Sequence, residues 1–154
     1  MYRKPKIIGS DFAGVVVNAP DGSKFKKGDR VYGMLPLLGT KYGAYAQKCC
    51  IDESILSIAP PDIPLVHLSS FPLVACTVIP PLKAVVKAFE GNVAGKKCFI
   101  QAGSGGVGSF AIQYCAKHLG MYVSTTCSPR NFELVKSLGN HLLFLFFCVI
   151  YSRL

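Results

Sequence analysis

The apolar run Cys98-Phe99-Ile100 leads directly into Gly103-Ser104-Gly105-Gly106-Val107-Gly108, and a helical pattern begins at once behind it. Strand, glycine turn and helix start in that order are what dinucleotide binding requires. Gly103 lets the chain turn sharply off the strand, Gly105 lets backbone come close to a pyrophosphate, and Gly108 lets the helix pack close to the sheet. The helix start then offers unpaired N–H groups and the positive end of its dipole to phosphate oxygens. Glycines at this spacing also occur in tight turns that hold no ligand, so the flanking sequence carries the argument.

Val107, Ala111, Tyr114, Cys115 and Leu119 recur at helical spacing, and Gly120 stands where a C-terminal cap glycine belongs. Met121 to Thr126 is a short β-branched run and reads as the second strand of a β-α-β unit. The stretch beyond it bears on the cofactor. An NAD site usually places an acidic residue about 20 positions past the glycines, where it binds the ribose hydroxyls, whereas an NADP site favours hydroxyl and basic groups. Here the stretch is Thr126-Cys127-Ser128-Pro129-Arg130-Asn131, with no acid before Glu133. NADPH is therefore expected over NADH, with Thr126, Ser128 and Arg130 added to residues 103–108 as cofactor contacts. Each has an alternative reading. Ser128-Pro129 is also a good N-cap and first-turn pair for a helix over 130–138. Arg130 equally suits a solvated surface charge, and Thr126 an ordinary strand residue.

The first eighty residues read as a small β-rich unit. Strands are expected over 12–19, 29–35, 42–51 and 55–58, with turns at Asp21-Gly22 and Lys27-Gly28. Residues 65–79 have a mixed apolar pattern compatible with a helix. Pro80-Pro81 is expected to end that helix and start another.

The block Phe99 to Gly139, with its Gln-Ala-Gly-Ser-Gly-Gly-Val-Gly and later Glu-Leu-Val-Lys-Ser-Leu-Gly, resembles the zinc-independent quinone oxidoreductase branch of the medium-chain dehydrogenases and reductases. Residues 8–16, 25–33, 43–47 and 71–77 resemble, in order, the earlier segments of that family, including strands of its GroES-like domain. The resemblance implies an α/β chain: a partial GroES-like, β-rich domain over 1–80, then the first β-α-β portion of a Rossmann nucleotide-binding domain over 81–139. It also implies NADPH-dependent hydride transfer to a quinone or an α,β-unsaturated carbonyl, with Thr77 on the nicotinamide side. Family members are much longer, so this chain reads as an internal piece that stops after the second Rossmann strand. A catalytically inactive remnant or adaptor is the alternative. Homodimerisation, where the family shows it, uses late strands that this chain lacks.

Where zinc-containing members of the superfamily carry a histidine ligand and a glutamate, the resemblance places Ser10 and Asp11; a serine hydroxyl is a poor substitute for imidazole. No metal is expected. The seven cysteines contain no C-x-x-C, and all read as reduced thiols of an intracellular compartment, with cytoplasm the default and an organelle open. Cys98 and Cys115 are expected to be buried and to behave as small apolar groups. His67, His118 and His141 lie apart and form no catalytic motif.

The formal charge is +9 over 154 residues, with nine Lys or Arg against three Asp in the first 48. A basic RNA-binding module is a further alternative on that ground. No aromatic-interleaved motif accompanies the lysines, and a basic surface also suits a phosphorylated cofactor, so a small-molecule electron acceptor is the expected partner. Residues 140–154 form an atypical hydrophobic tail, with Leu142 to Tyr151 too short to span a bilayer. An accidental C-terminus from an intron or frameshift, a divergent third strand, and a membrane-associated tail are its three readings. An exposed run of this composition is an aggregation hazard.

Overall fold

The computed structural model describes residues 7–36 and 42–145. Contacts divide the chain into two compact units after Leu73.

The first unit is built on a three-stranded antiparallel sheet in the order β1 (Asp11–Val15), β2 (Arg30–Met34), β3 (Leu56–Ile58). Val31 pairs with Gly14 on one side and Ile58 on the other. Val31, Gly33 and Leu35 alternate inward and are buried, the period-two signature of a half-buried strand. Gly28, at φ 96°, makes the turn into β2, where its N–H donates to Val16 O at 2.9 Å. The guanidinium of Arg30 donates to the carbonyls of Pro61 (2.7 Å) and Ile63 (2.6 Å), so this basic residue holds the loop behind β3. The expected strands are trimmed to these bounds. The one over 42–51 does not form: Gly43, Ala44 and Tyr45 instead donate to the carbonyls of Ile7, Gly9 and Ile8 as an irregular segment. Gly43 lies so close to the backbone of Ile8 and Gly9 that a side chain there would collide with it, so this close approach requires a glycine.

A short helix α1 (Leu65–Leu68) precedes α2 (Pro72–Ala88). The expected break at Pro80-Pro81 is absent, because α2 runs through both prolines. Pro cannot donate to the carbonyl four residues back and crowds it. Both prolines lie on the exposed side with Cys76 and Thr77, away from the packed stripe. On the opposite side Ala75 and Val78 are buried, and Leu82 and Val86 pack on the core, a stripe that a break would split.

The second unit carries a parallel sheet in the order β4 (Lys97–Ile100), β5 (Tyr122–Cys127), β6 (Leu142–Leu145). Helix α3 (Gly106–Gln113) connects the first pair and continues as a π-helical turn over Tyr114–His118. Helix α4 (Phe132–Leu138) connects the second pair. The chain therefore does not stop after the second parallel strand. Gly139, at φ 112°, caps α4, and His141 N–H donates to Val123 O at 2.8 Å, which starts β6 alongside β5 in the register Ser124↔Leu142 to Cys127↔Leu145. An edge of β5 without a partner would leave its backbone groups unpaired, and an apolar run directly behind a capped helix supplies that partner. Phe146 to Tyr151, with Cys148, lies outside the described residues.

Val93, Ile112, Cys115, Met121, Val123, Cys127 and Val135 form the core on the helix-covered face of this sheet. On the other face Phe99, Tyr122, Leu142 and Phe144 are exposed, with the rings of Phe99 and Phe144 6.0 Å apart.

Candidate dinucleotide site

The turn between β4 and α3 is held by β5. Ala102 N–H donates to Thr126 Oγ1 at 3.0 Å and Gly103 N–H to Thr126 O at 2.9 Å, while the buried Thr125 hydroxyl donates to Ile100 O. Thr126 is thus a strand residue of β5 that also braces the turn. The sharp turn itself falls one residue earlier than expected. Ala102 takes the left-handed conformation (φ 56°), uncommon for a residue with a Cβ, and Gly103 does not. What Gly103 requires is space: a Cβ there would overlap the Thr125 side chain and stand 2.8 Å from Ile112 Cδ1.

Gly108 also acts differently from the expectation. A Cβ at 108 would overlap Ala102 O and stand 2.8 Å from Gly103 Cα, so this glycine lets the first turn of α3 sit on the backbone of the glycine turn, not on the sheet. Gly105 is the open position. A Cβ there meets only Ala102 O, at 3.3 Å. Gly105 is the N-cap of α3 in extended conformation and no side chain caps the helix. The first-turn N–H groups, which have no partner within a helix, therefore point past a residue without a side chain. An anion placed there would gain those donors and the helix dipole.

Ser104 is half-buried, and its Oγ accepts from Asn131 Nδ2 at 3.0 Å. This contact joins the glycine turn to the loop behind β5. Sequence reasoning missed Asn131; its one signal is its place in the stretch 126–131. Ser128 is extended (φ −70°, ψ 149°) and stands at the N-cap of a 3₁₀ turn over Pro129–Asn131 that leads directly into α4, with Pro129 in the first turn as expected, but its hydroxyl makes no capping hydrogen bond. Arg130 is exposed on that turn and among the described residues forms no ion pair. Glu133, the nearest acid along the chain, pairs with Lys136 at 3.1 Å on the surface of α4. Val74 of α2 lies beside the turn, with its Cγ1 3.5 Å from where a Cβ on Gly106 would be. Thr77 is exposed about one helical turn further along α2.

Asp11 serves as a cap. Its Oδ1 accepts from Leu73 N–H at 2.9 Å at the start of α2. Desolvation pushes its carboxyl above the ordinary value, and that hydrogen bond opposes the shift. Among the described residues no group of three His, Cys, Asp or Glu side chains is placed to hold a metal ion. No helix among them is long and apolar enough to cross a membrane. A concavity of about 230 Å³ in the first unit, lined by Phe12, Val16, Val31, Ala46, Ile51 and Leu56 among others, has no part in the glycine turn.

An antiparallel β-rich unit followed by a parallel sheet with this turn is a mixed α/β architecture: a GroES-like domain joined to the start of a Rossmann fold. The alcohol dehydrogenase GroES-like domain family matches residues 1–61. The chloroplastic quinone-oxidoreductase homolog of Spinacia oleracea is 34% identical over 137 residues, 88% of this chain and 41% of the spinach protein. The chloroplastic NADPH-dependent alkenal/one oxidoreductase of Arabidopsis thaliana is 36% identical over 147 residues, 88% of this chain and 35% of that protein. Among solved structures, the quinone oxidoreductase of Coxiella burnetii superposes with a TM-score of 0.74 at 30% identity, covering 89% of this chain and 41% of that one. The chain is a quinone-oxidoreductase-like member of the medium-chain dehydrogenase/reductase family. It spans about two-fifths of the length of the curated relatives it matches.

Proposed function

We propose that this chain is the nucleotide-binding part of an NADPH-dependent oxidoreductase that delivers hydride to a quinone or an α,β-unsaturated carbonyl. The observation that carries the reading is the open N-terminus of α3 at Gly105, with no side chain over its free N–H groups. In this reading residues 1–80 form the GroES-like portion and 81–139 the nucleotide-binding portion, with β6 added to it.

The residues present fit a phosphorylated dinucleotide. Residues 103–108 would hold the pyrophosphate by backbone N–H groups, with Thr126 keeping the turn in place. Ser128 and Arg130 would take the 2′-phosphate: the serine hydroxyl is not spent on a cap, the guanidinium makes no ion pair among the described residues, and no carboxylate stands before Glu133 to repel that group. Thr77 is assigned to the nicotinamide side. When bound, a reduced nicotinamide supplies the hydride, and a proton from water completes reduction of the acceptor. The chain's own contribution is to hold the dinucleotide by its phosphates. The names of the spinach and Arabidopsis relatives support the acceptor class, and the Arabidopsis name supports NADPH. Both relatives are chloroplastic, so an organelle is as open to this protein as the cytoplasm.

Calorimetric titration with NADPH and NADH, run in parallel on Gly105→Val, tests the reading. The valine side chain is compatible with the extended backbone at this position and closes the approach to the N–H groups. NADPH binding that is tighter than NADH binding and lost in the variant is the expected result. Equal binding of both nucleotides would remove the 2′-phosphate assignment. No binding by the folded chain would leave the alternative of a family fragment without activity.

A further inference from the structure

We propose that Cys98 and Cys115 form a redox pair, which a peroxide converts to a disulfide that closes a loop around the glycine turn. Cys98 is on β4 and Cys115 on the π-helical turn behind α3, and their Sγ atoms are 4.0 Å apart. A disulfide needs sulfurs about 2 Å apart, so a side-chain rotation and a small shift of the π-helical turn close the gap. Turns of this kind are local insertions in a helix and frequently occur at functional positions.

The two thiols are not equivalent. Cys98 is half-buried, whereas Cys115 is 1% exposed. Cys98 Sγ donates to Cys115 Sγ in the neutral pair, and once Cys98 ionises the Cys115 thiol can donate to it; this shared hydrogen bond pulls the Cys98 thiol down to about 7, against the effect of burial, while the Cys115 thiol is pushed up. Cys98 is therefore the attacking thiolate and Cys115 the resolving group. The Cys98 sulfur attacks one peroxide oxygen, the O–O bond breaks, and the departing hydroxide takes up a proton to give water and a sulfenic acid. The Cys115 sulfur, losing its proton, then attacks the Cys98 sulfur; the S–O bond breaks and the second water leaves. Two thiols are oxidised by two electrons in total, and one peroxide is reduced to two waters. A dithiol reverses the reaction. The closed loop contains residues 99–114 and with them the whole of Gly103–Gly108.

Trypsin, cutting after Lys97 and Lys117, releases both cysteines in the single peptide 98–117. The folded chain is treated with hydrogen peroxide, denatured and alkylated, and this peptide is measured by mass spectrometry. The expected peptide is two hydrogens lighter and carries neither alkyl label, and treatment with dithiothreitol before alkylation restores both labels. Cys76, exposed on α2, serves as the reference thiol in the same digest. A peptide that keeps both labels after Cys76 has been oxidised, or that carries Cys98 as a sulfinic acid or joined to a different cysteine, overturns the proposal. Peroxide with dimedone on Cys115→Ser fixes the order: an adduct at Cys98 is expected, and its absence in a folded variant overturns Cys98 as the attacking thiol. Should the variant fail to fold, the unsubstituted chain decides alone.

Discussion

Asn131 Nδ2 donates to Ser104 Oγ across 3.0 Å, and so ties the loop behind β5 to the glycine turn. The two residues are 27 positions apart in the chain; under the proposed function one lies in the turn that faces the pyrophosphate and the other beside Arg130. Asn131→Ala removes the donor and is expected to weaken NADPH binding about five-fold, the net worth of one partly exposed hydrogen bond. Asn131→Asp separates geometry from charge. The Ser104 hydroxyl can rotate and donate to the new carboxylate, but the added charge opposes a 2′-phosphate. NADPH affinity is expected to fall further than NADH affinity, and equal losses in parallel titrations would argue against a 2′-phosphate beside this loop.

Gly108 and Gly106 are two positions apart and are expected to respond in opposite directions to alanine. At 108 the new Cβ meets Ala102 O and Gly103 Cα, backbone atoms that cannot move aside, and the expected loss is about 1–3 kcal/mol. At 106 the nearest atom is Val74 Cγ1 at 3.5 Å, an ordinary contact, and alanine in the helix is expected to stabilise by about 0.5 kcal/mol. Thermal unfolding followed by circular dichroism distinguishes them; a tolerated Gly108→Ala would mean that α3 does not rest on the turn as described.

Asp11 is expected to behave as a cap with a desolvated charge. Its folded pKa is raised above the 3.8 of the free side chain, chiefly by desolvation. A carboxyl raised in this way contributes stability that is present below pH 3.8 and lost as pH rises through the folded value. Asn keeps an acceptor for Leu73 N–H without the charge, so Asp11→Asn is expected to match or exceed the parent at pH 7, with its advantage shrinking as the pH is lowered. Asp11→Ala loses the acceptor and is expected to cost about 1 kcal/mol. A less stable Asn variant at pH 7 would show that the charge, not the acceptor, matters there.

Pro80 sits within α2 on its exposed side. Alanine restores an N–H for the carbonyl of Cys76 and is expected to raise the unfolding midpoint, with a gain of about 1–2 kcal/mol after the greater freedom of the unfolded chain is deducted. A lower midpoint would mean that α2 depends on the proline ring for its packing.

The order of strand, glycine turn, helix and second strand was legible in the sequence because each of its signals is local. The apolar run through Ile100, the glycines from 103 to 108, the helical spacing of Ala111 and Cys115 and the cap at Gly120 all act within a few residues of one another, and the structure places β4, α3 and β5 accordingly. The absence of an acid between Thr126 and Glu133 is likewise a fact of sequence alone. What the sequence could not decide depended on atoms distant along the chain. The left-handed residue is Ala102 and not Gly103, with Ala102 held from β5 by Thr126, and position 103 needs a glycine for a different reason, because Thr125 and Ile112 leave no room there for a side chain. Helix α2 passes Pro80 and Pro81 because both lie on its exposed side, while the packed stripe through Ala75, Val78, Leu82 and Val86 holds the helix together across them. Leu142 to Leu145 become a strand because β5 offers backbone partners on that edge, and Cys98 meets Cys115 because α3 folds back over β4. Local propensity acts over a turn or two of chain, whereas packing and hydrogen-bond satisfaction are decided only when the distant partner arrives.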